Sequence, residues 1–338
     1  MMNNKKGIKI ITLHGNKVGG TEKAASDLRN VLSTKYRCNI EYLFDNVTKN
    51  NINKIDQCLM FFKILFKLKF EDVCITTDYA TYCLLVIANF FKKKFKHIIM
   101  WEHVPKDRNG KFWLSLEHAF SLSSKADTIV TLSELEYSKW NNPSAKKILI
   151  INNAISTNGN ELYKSSINNK EGLVYVGRVT KDKGVERLID AFLEFFPENI
   201  NLKIVGDGDE LERLKYKYKN KENVIFLGQR DNIAQILSQS KVFVSGSYYE
   251  CFPISILEAM SLSLPIVSFD QSGGTESVLS KAGCGFIVST GQEFFEKIDL
   301  MLKDDNYLSL GERGYNFVSK NYNLEKYSES WIKVLDGF

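Results

Sequence analysis

Two glutamates eight positions apart, Glu250 and Glu258, flank a proline and an apolar run in YYECFPISILEAM. The preceding VFVSGS reads as the end of a strand and YYECF as a turn. Pro253 suits the first position of a helix, where its missing N–H costs nothing. The N–H groups of Ile254 and Ser255 are then expected at an exposed helix start, where an anion binds well. Glu258 falls five residues into that helix, roughly 7–8 Å further along its axis at about 1.5 Å per residue. The two carboxylates can therefore touch different parts of one extended ligand. The alternative is a solvent-facing Glu250 and a helix-surface Glu258. Against it, Ile254, Ile256, Leu257, Ala259, Met260 and Leu262 surround Glu258, and a carboxylate in such company needs a partner.

Cations and glycines with matching chemistry lie elsewhere. VGRVTKDKG (176–184) follows one strand and precedes a helix, with Arg178 and Lys183 in the loop and Gly177 and Gly184 leaving room for a ligand. An arginine fork beside a lysine point charge suits a diphosphate; the alternative is a pair of solvated surface cations. HGNKVGGTE (14–22) carries Gly19 and Gly20 into a helix. On its own it is a weak phosphate signal and is not GxGxxG. In HIIMWEHVPK (97–106), Glu102 and His103 come just past a strand, whereas His97 and His118 read as structural. VGDGDELERL (205–214) contains Asp207 and Asp209 in a DxD spacing that can hold a metal. A tight turn with acidic residues favoured in the first helical turn is the stronger reading there, and no metal is expected.

These residues need a frame that puts loops at the ends of strands. With 338 residues and a prior of about 150 per domain, two domains are expected. Hydrophobic residues make up 44% and charged residues 25%, enough for each half to bury a core. Strand-like runs KIITLH, VCITT, HIIMW, TIVTL and ILIIN alternate with helical periodicity, as in TEKAASDLRNVL, where Ala24, Ala25, Leu28, Val31 and Leu32 share a face. A polar stretch near 155–170 reads as a linker. A second series follows: LVYVG, LKIVG, NVIFLG, VFVSG and PIVSFD, with the amphipathic helix VERLIDAFLEFF after the first. Alternating strands and helices imply parallel sheets covered on both faces. The fold class is thus α/β, two doubly wound Rossmann-like domains over 1–158 and 159–321, with ligands beyond the carboxyl ends of strands. The cleft between the domains is the default site.

Charge and composition exclude some classes. A net charge of +5 suits anionic ligands without demanding nucleic acid. Six cysteines without CxxC or metal-ligand spacing read as reduced thiols of a cytoplasmic protein. No run of about 18 apolar residues exists to span a membrane. FFKILFKLKFED (61–72) and NFFKKKFKH (89–97) mix phenylalanine with lysine; they suit peripheral contact with an anionic membrane or a core helix with snorkelling lysines.

Taken together, these motifs resemble glycosyltransferase family 4, retaining enzymes of the GT-B fold. ECFPISILE matches the family's E-x7-E motif, GRVTKDKG its GR…KG loop, and GGTE, SGGTESVL, ADTIVTLSE and LKIVGDGDE also fit, in the same order along most of the chain. The resemblance implies that Glu258 holds the ribose hydroxyls of a nucleotide sugar. It implies that Glu250 contacts the transferred sugar, with main-chain groups of Cys251 and Phe252 and the helix start at Pro253 and Ile254. Arg178 and Lys183 would clamp the diphosphate, Gly19 and Gly20 would face it from the first domain, and His103 would lie near the reacting sugar. Cys251 stands where the family often has glycine. The last helix, 322–338, would return to the first domain, the acceptor half. Retention in this family is usually explained by front-face attack, the leaving phosphate taking the acceptor's proton. The expected protein is a metal-independent hexosyltransferase using a UDP- or GDP-sugar, with no separate cofactor. Its acceptor would be a glycan or a lipid-linked carrier, in polysaccharide or lipopolysaccharide (O-antigen type) assembly at the cytoplasmic face of the membrane. Two rivals are a non-hydrolysing UDP-sugar 2-epimerase of the same fold and a nucleic-acid-binding protein; interruption of the basic runs by phenylalanine argues against the latter.

Overall fold

The computed structural model describes residues 5–14, 20–44, 62–67, 69, 71–103, 127–140, 147–155, 170–270, 272–303 and 307–338. The chain divides into two compact units, Met1–Asn153 with Tyr327–Phe338, and Ala154–Lys326.

The first unit is built on a six-stranded parallel sheet of order β2-β1-β3-β4-β5-β6. Its strands are β1 (Gly7–His14), β2 (Arg37–Phe44), β3 (Glu71–Thr76), β4 (Phe95–Trp101), β5 (Thr128–Thr131) and β6 (Ile148–Ile150). Helices α1 (Gly20–Leu32), α2 (Tyr79–Lys92) and α3 (Glu134–Trp140) join them. The face anticipated for α1 is the buried one: Ala24, Ala25, Leu28, Val31 and Leu32. Asp78 caps α2 by accepting from the Thr81 N–H at 2.7 Å, which satisfies one of the orphan donors of the first turn.

The second unit repeats the plan, order β14-β12-β10-β7-β8-β9, again all parallel. Its strands are β7 (Leu173–Val176), β8 (Leu202–Val205), β9 (Val224–Gly228), β10 (Val242–Ser245), β12 (Ile266–Phe269) and β14 (Gly285–Val288). Short β11 (Tyr249–Glu250) and β13 (Ser272–Gly273) pair separately. The helices are α4 (Val185–Phe195), α5 (Leu211–Lys217), α6 (Ile233–Ser238), α7 (Ile254–Ser261), α8 (Gly274–Ala282), α9 (Gly291–Lys303), α10 (Tyr307–Asn321) and α11 (Leu324–Asp336). Val185, Leu188, Ile189 and Phe192 of α4 are buried in the core with Phe294 and Ile298 of α9. From Tyr327 onward α11 belongs to the first unit, where fully buried Trp331 meets Trp101 edge-on at 5.1 Å. Among the described residues no helix is long and apolar enough to cross a membrane.

In the second sheet, chain order reverses between β7 and β10: β7, β8 and β9 run one way across the sheet, and β10, β12 and β14 the other. In open α/β sheets the crevice outside the carboxyl ends of the strands at such a switch point is where ligands bind. The loops leaving β7 and β10 are the two that carry Arg178, Lys183 and Glu250.

Candidate functional site

The β7 and β10 loops are locked together backbone to backbone. Gly184 ends the 3₁₀ turn Lys181–Lys183 with φ of 58°, in the left-handed region that glycine enters without steric cost. A Cβ there would lie 1.9 Å from the Gly246 carbonyl oxygen, and one on Gly246 would lie 2.3 Å from that of Gly184. The Tyr248 N–H donates to the Asp182 carbonyl at 2.9 Å. Side chains finish the junction. Lys183 Nζ donates to Glu250 Oε1 at 2.8 Å, with each side chain about one-sixth exposed. Ser247 Oγ donates to the same carboxylate oxygen at 2.7 Å. The lysine and glutamate that sequence reasoning assigned to different parts of one ligand thus neutralise each other. A pair this sheltered is costly to leave with one partner missing.

Around the pair, the main chain of Glu250 is fixed by the β11–β13 ladder, Tyr249 opposite Ser272 and Glu250 opposite Gly273. A Cβ at Gly273 would sit 2.0 Å from the Glu250 carbonyl oxygen, which accounts for a glycine in SGGTE. Cys251 and Phe252 are buried, and the Phe252 ring meets Tyr322 edge-on at 5.6 Å. Glu258 is half-buried in the second turn of α7. One expectation is corrected: Pro253 precedes the helix as its cap residue, and the Ile254 N–H is engaged, donating to the Phe252 carbonyl at 2.9 Å. The three-residue turn centred on Pro253 closes tightly enough to use that donor, so Ile254 does not offer it to a ligand.

On the β7 side, Arg178 is exposed and its carbonyl accepts from the buried Tyr175 hydroxyl at 2.8 Å. Burial pushes the Tyr175 phenol far up, so it serves only as a hydrogen-bond donor and acceptor. The DGD loop braces this segment: Val179 donates to the Asp207 carbonyl at 2.9 Å, and Glu210 donates back to the Val179 carbonyl at 3.0 Å. Asp207 Oδ1 accepts from the Gly208 N–H at 2.7 Å, a turn role. Among the described residues no group of three His, Cys, Asp or Glu side chains is placed to hold a metal.

The remaining candidates belong to the first unit. Gly20 opens α1 and is exposed; Gly19 and His118 lie outside the described residues. Glu102 and His103 follow β4, with Glu102 fully buried. The His103 ring packs edge-on to Trp101 at 4.2 Å, and its Nε2 is shut off from solvent without a hydrogen-bond partner among the described residues. Burial draws its pKa down to about 3, so the imidazole is neutral at pH 7.

Two contributors escape sequence reasoning. Ser247 passes as part of a polar turn. Arg187 falls on the polar side of an amphipathic helix, where arginine reads as solvated. The available signal is its spacing, three residues after Gly184, which returns it to the helix start.

With this geometry in place, residues 161–317 match the family described as glycosyl transferases group 1. A Haemophilus influenzae protein described as an uncharacterized glycosyltransferase is 27% identical over 94% of this chain and 96% of its own length. The Staphylococcus aureus capsular polysaccharide biosynthesis glycosyltransferase CapM is 24% identical, covering 66% of this chain and 61% of its own length. Among solved structures, Anabaena HepE in complex with UDP-glucose superposes with a TM-score of 0.81 over 98% of this chain and 100% of its own, at 17% identity. The fold is GT-B, and the family match and named relatives support a glycosyltransferase.

Proposed function

We propose that the protein is a retaining, metal-independent glycosyltransferase. It moves a hexose-type sugar from a nucleotide diphosphate sugar, UDP-linked ahead of GDP-linked, to a glycan or lipid-linked acceptor of cell-surface polysaccharide synthesis. The observation that carries the reading is the Lys183–Glu250 pair at the switch point of the second sheet, beside Arg178 and the start of α7. A diphosphate offers Lys183 a stronger partner than one carboxylate, and a sugar hydroxyl offers Glu250 a donor. The incoming ligand therefore replaces each half of the pair rather than stripping it. In transfer, the bond from the sugar's anomeric carbon to the diphosphate breaks, a bond to the acceptor oxygen forms, and the acceptor's proton passes to the departing diphosphate. Arg178, Lys183 and the dipole of α7 stabilise the charge that develops there, so the reading needs no metal ion.

Glu258 is assigned to the ribose hydroxyls, Glu250 with the Cys251 and Phe252 main chain to the sugar, and Gly19 and Gly20 to phosphate contact. His103, uncharged at working pH, is assigned as a neutral hydrogen-bonding group for a sugar rather than a proton-donating cation. The UDP-glucose bound by HepE supports the donor class, and the place of CapM in capsular polysaccharide biosynthesis supports the polysaccharide setting. The first unit supports action at an anionic membrane surface, because Phe62, Phe66, Phe90 and Phe91 are 55–80% exposed. Phe62 and Phe66 stack at 6.0 Å, and Lys92 lies 5.7 Å from the Phe66 ring centre, linking the two segments. Exposed Lys67, Lys69 and Lys93 belong to the same segments, the mixture that suits the headgroup region of an anionic bilayer.

The test is sugar transfer by Lys183→Ala and Glu258→Ala. Loss of a charge-stabilising donor costs about 10²–10³-fold in turnover, so Lys183→Ala is expected to fall by that much. Glu258→Ala is expected to raise the donor KM about tenfold or more, as loss of a hydrogen bond to a charged group does. Unchanged kinetics in both variants would remove the assignment.

A further inference from the structure

We infer that Arg187 is a positioning residue for this site: it clamps the β10 loop onto the start of α4 and thereby holds Glu250 opposite Lys183. The inference rests on the reading of the switch-point site given above. Arg187 Nε donates to the Gly246 carbonyl at 2.7 Å, and one terminal nitrogen donates to the Ser247 carbonyl at 2.7 Å. The same nitrogen reaches the Asp270 carbonyl at 3.4 Å. The guanidinium carbon lies 4.0 Å from the centre of the Tyr248 ring and 5.0 Å from that of Phe269. One planar fork thus gathers three consecutive residues of the loop, two by their carbonyls and one by its ring.

The carbonyls it chelates flank the points on which the site depends. Gly246 is the residue pressed against Gly184, and Ser247 supplies the hydroxyl on Glu250. The next amide, Tyr248 N–H, is bonded to Asp182 beside Lys183. The hydrogen bonds and ring contacts of Arg187 go to Gly246, Ser247, Tyr248, Phe269 and Asp270 rather than to Lys183 or Glu250, so its effect on the pair passes through this backbone. A lysine could supply the charge but not two parallel donors fixed in one plane.

Two measurements on Arg187→Met and Arg187→Lys test the clamp. The first needs no ligand: hydrogen exchange at the Tyr248 amide is expected to rise at least tenfold in Arg187→Met and less in Arg187→Lys, with exchange in β7 and β8 unchanged. The second compares UDP with UDP-glucose by calorimetry. Wild type is expected to bind UDP-glucose more tightly than UDP; Arg187→Met is expected to lose most of that ratio while keeping UDP affinity within about threefold, and Arg187→Lys to recover part of it. Unchanged Tyr248 exchange overturns the clamp, and an unchanged ratio despite faster exchange overturns the positioning role. A wild type that binds neither nucleotide contradicts the proposed function instead, and the exchange result still decides whether Arg187 clamps the loop.

Discussion

At the scale of single residues, the site stores its charge as an internal pair. Lys183 and Glu250 come from separate loops and are mostly shielded from water, and Ser247 donates to the same carboxylate oxygen that Lys183 holds. Their residue types and strand-end positions are legible in the sequence, and so is the spacing from Glu250 to Glu258. Their mutual contact is not, because it depends on which strands are neighbours: β7 and β10 are adjacent in the sheet but separated by two strands in the chain. Arg187 is hidden for the same reason, since its partners are carbonyls contributed by a distant loop. A different residue contributes to the pH response of stability above neutrality. Lys170, 4% exposed just before β7, has its pKa drawn down to about 7 by burial. Between pH 7 and the unfolded lysine value of about 10.4 the unfolded chain binds the extra proton, so this group makes stability rise with pH across that window. Lys170→Met is therefore expected to stabilise, most below pH 7 and with a vanishing gain above about pH 10.5. Chemical denaturation at pH 6 and pH 10 checks this; an equal effect at both would contradict it.

At the scale of elements, the strands that sequence patterning singles out are all the interior strands of the two sheets and two of their four edge strands, β6 and β9. The two six-stranded-sheet strands it passed over, β2 and β14, are both edge strands. β2 reads RCNIEYLF, in which Arg37, Asn39 and Glu41 alternate with apolar residues; half of an edge strand faces water, so its apolar signal is diluted. β14 is four residues between helices and begins with a glycine. Helix faces were more legible, since the 3.6-residue period of α1 and α4 is carried by many positions. Helix α7 starts at Ile254, one residue later than Pro253 suggests from sequence, and that residue decides whether the Ile254 N–H is available. The junction of the β7 and β10 loops gives a prediction at this scale. Gly184→Ala meets the Gly246 carbonyl at 1.9 Å and adopts a left-handed φ, whereas Gly228→Ala has a φ of 68° and nothing within 4 Å of its Cβ. The control is expected to cost about 1–2 kcal/mol for the backbone alone. Gly184→Ala is expected to cost more and to weaken UDP binding as well. Equal losses in both variants, with UDP binding intact, would show that the loop junction does not govern the site.

At the scale of the whole molecule, two units of one architecture carry different chemistry. The second holds the charged switch-point loops and the glycosyl transferases group 1 match; the first presents exposed phenylalanines among lysines. Sequence reasoning left that segment open between core helix and membrane surface, because an apolar residue next to lysine fits either. Phe90 is 80% and Phe91 66% exposed, so the peripheral membrane contact proposed above predicts a role for both rings. Replacing both by glutamate is expected to abolish sedimentation with phosphatidylglycerol–phosphatidylcholine vesicles while leaving UDP affinity unchanged. Wild type is expected to release from the same vesicles as salt rises, since surface charges are screened within about 8 Å at 0.15 M. Wild-type sedimentation that is equal with pure phosphatidylcholine would contradict a role for the lysines.

The central claim is the proposal that the protein binds a nucleotide diphosphate sugar without a metal ion. Its most direct test is thermal unfolding of the full chain with UDP, GDP and UDP-glucose, each with and without EDTA. A ligand at 100 times its dissociation constant adds about 2.7 kcal/mol. The account predicts a raised midpoint with UDP-glucose that persists in EDTA and is lost in Lys183→Ala. No shift with any nucleotide, or a shift that EDTA removes, would contradict it.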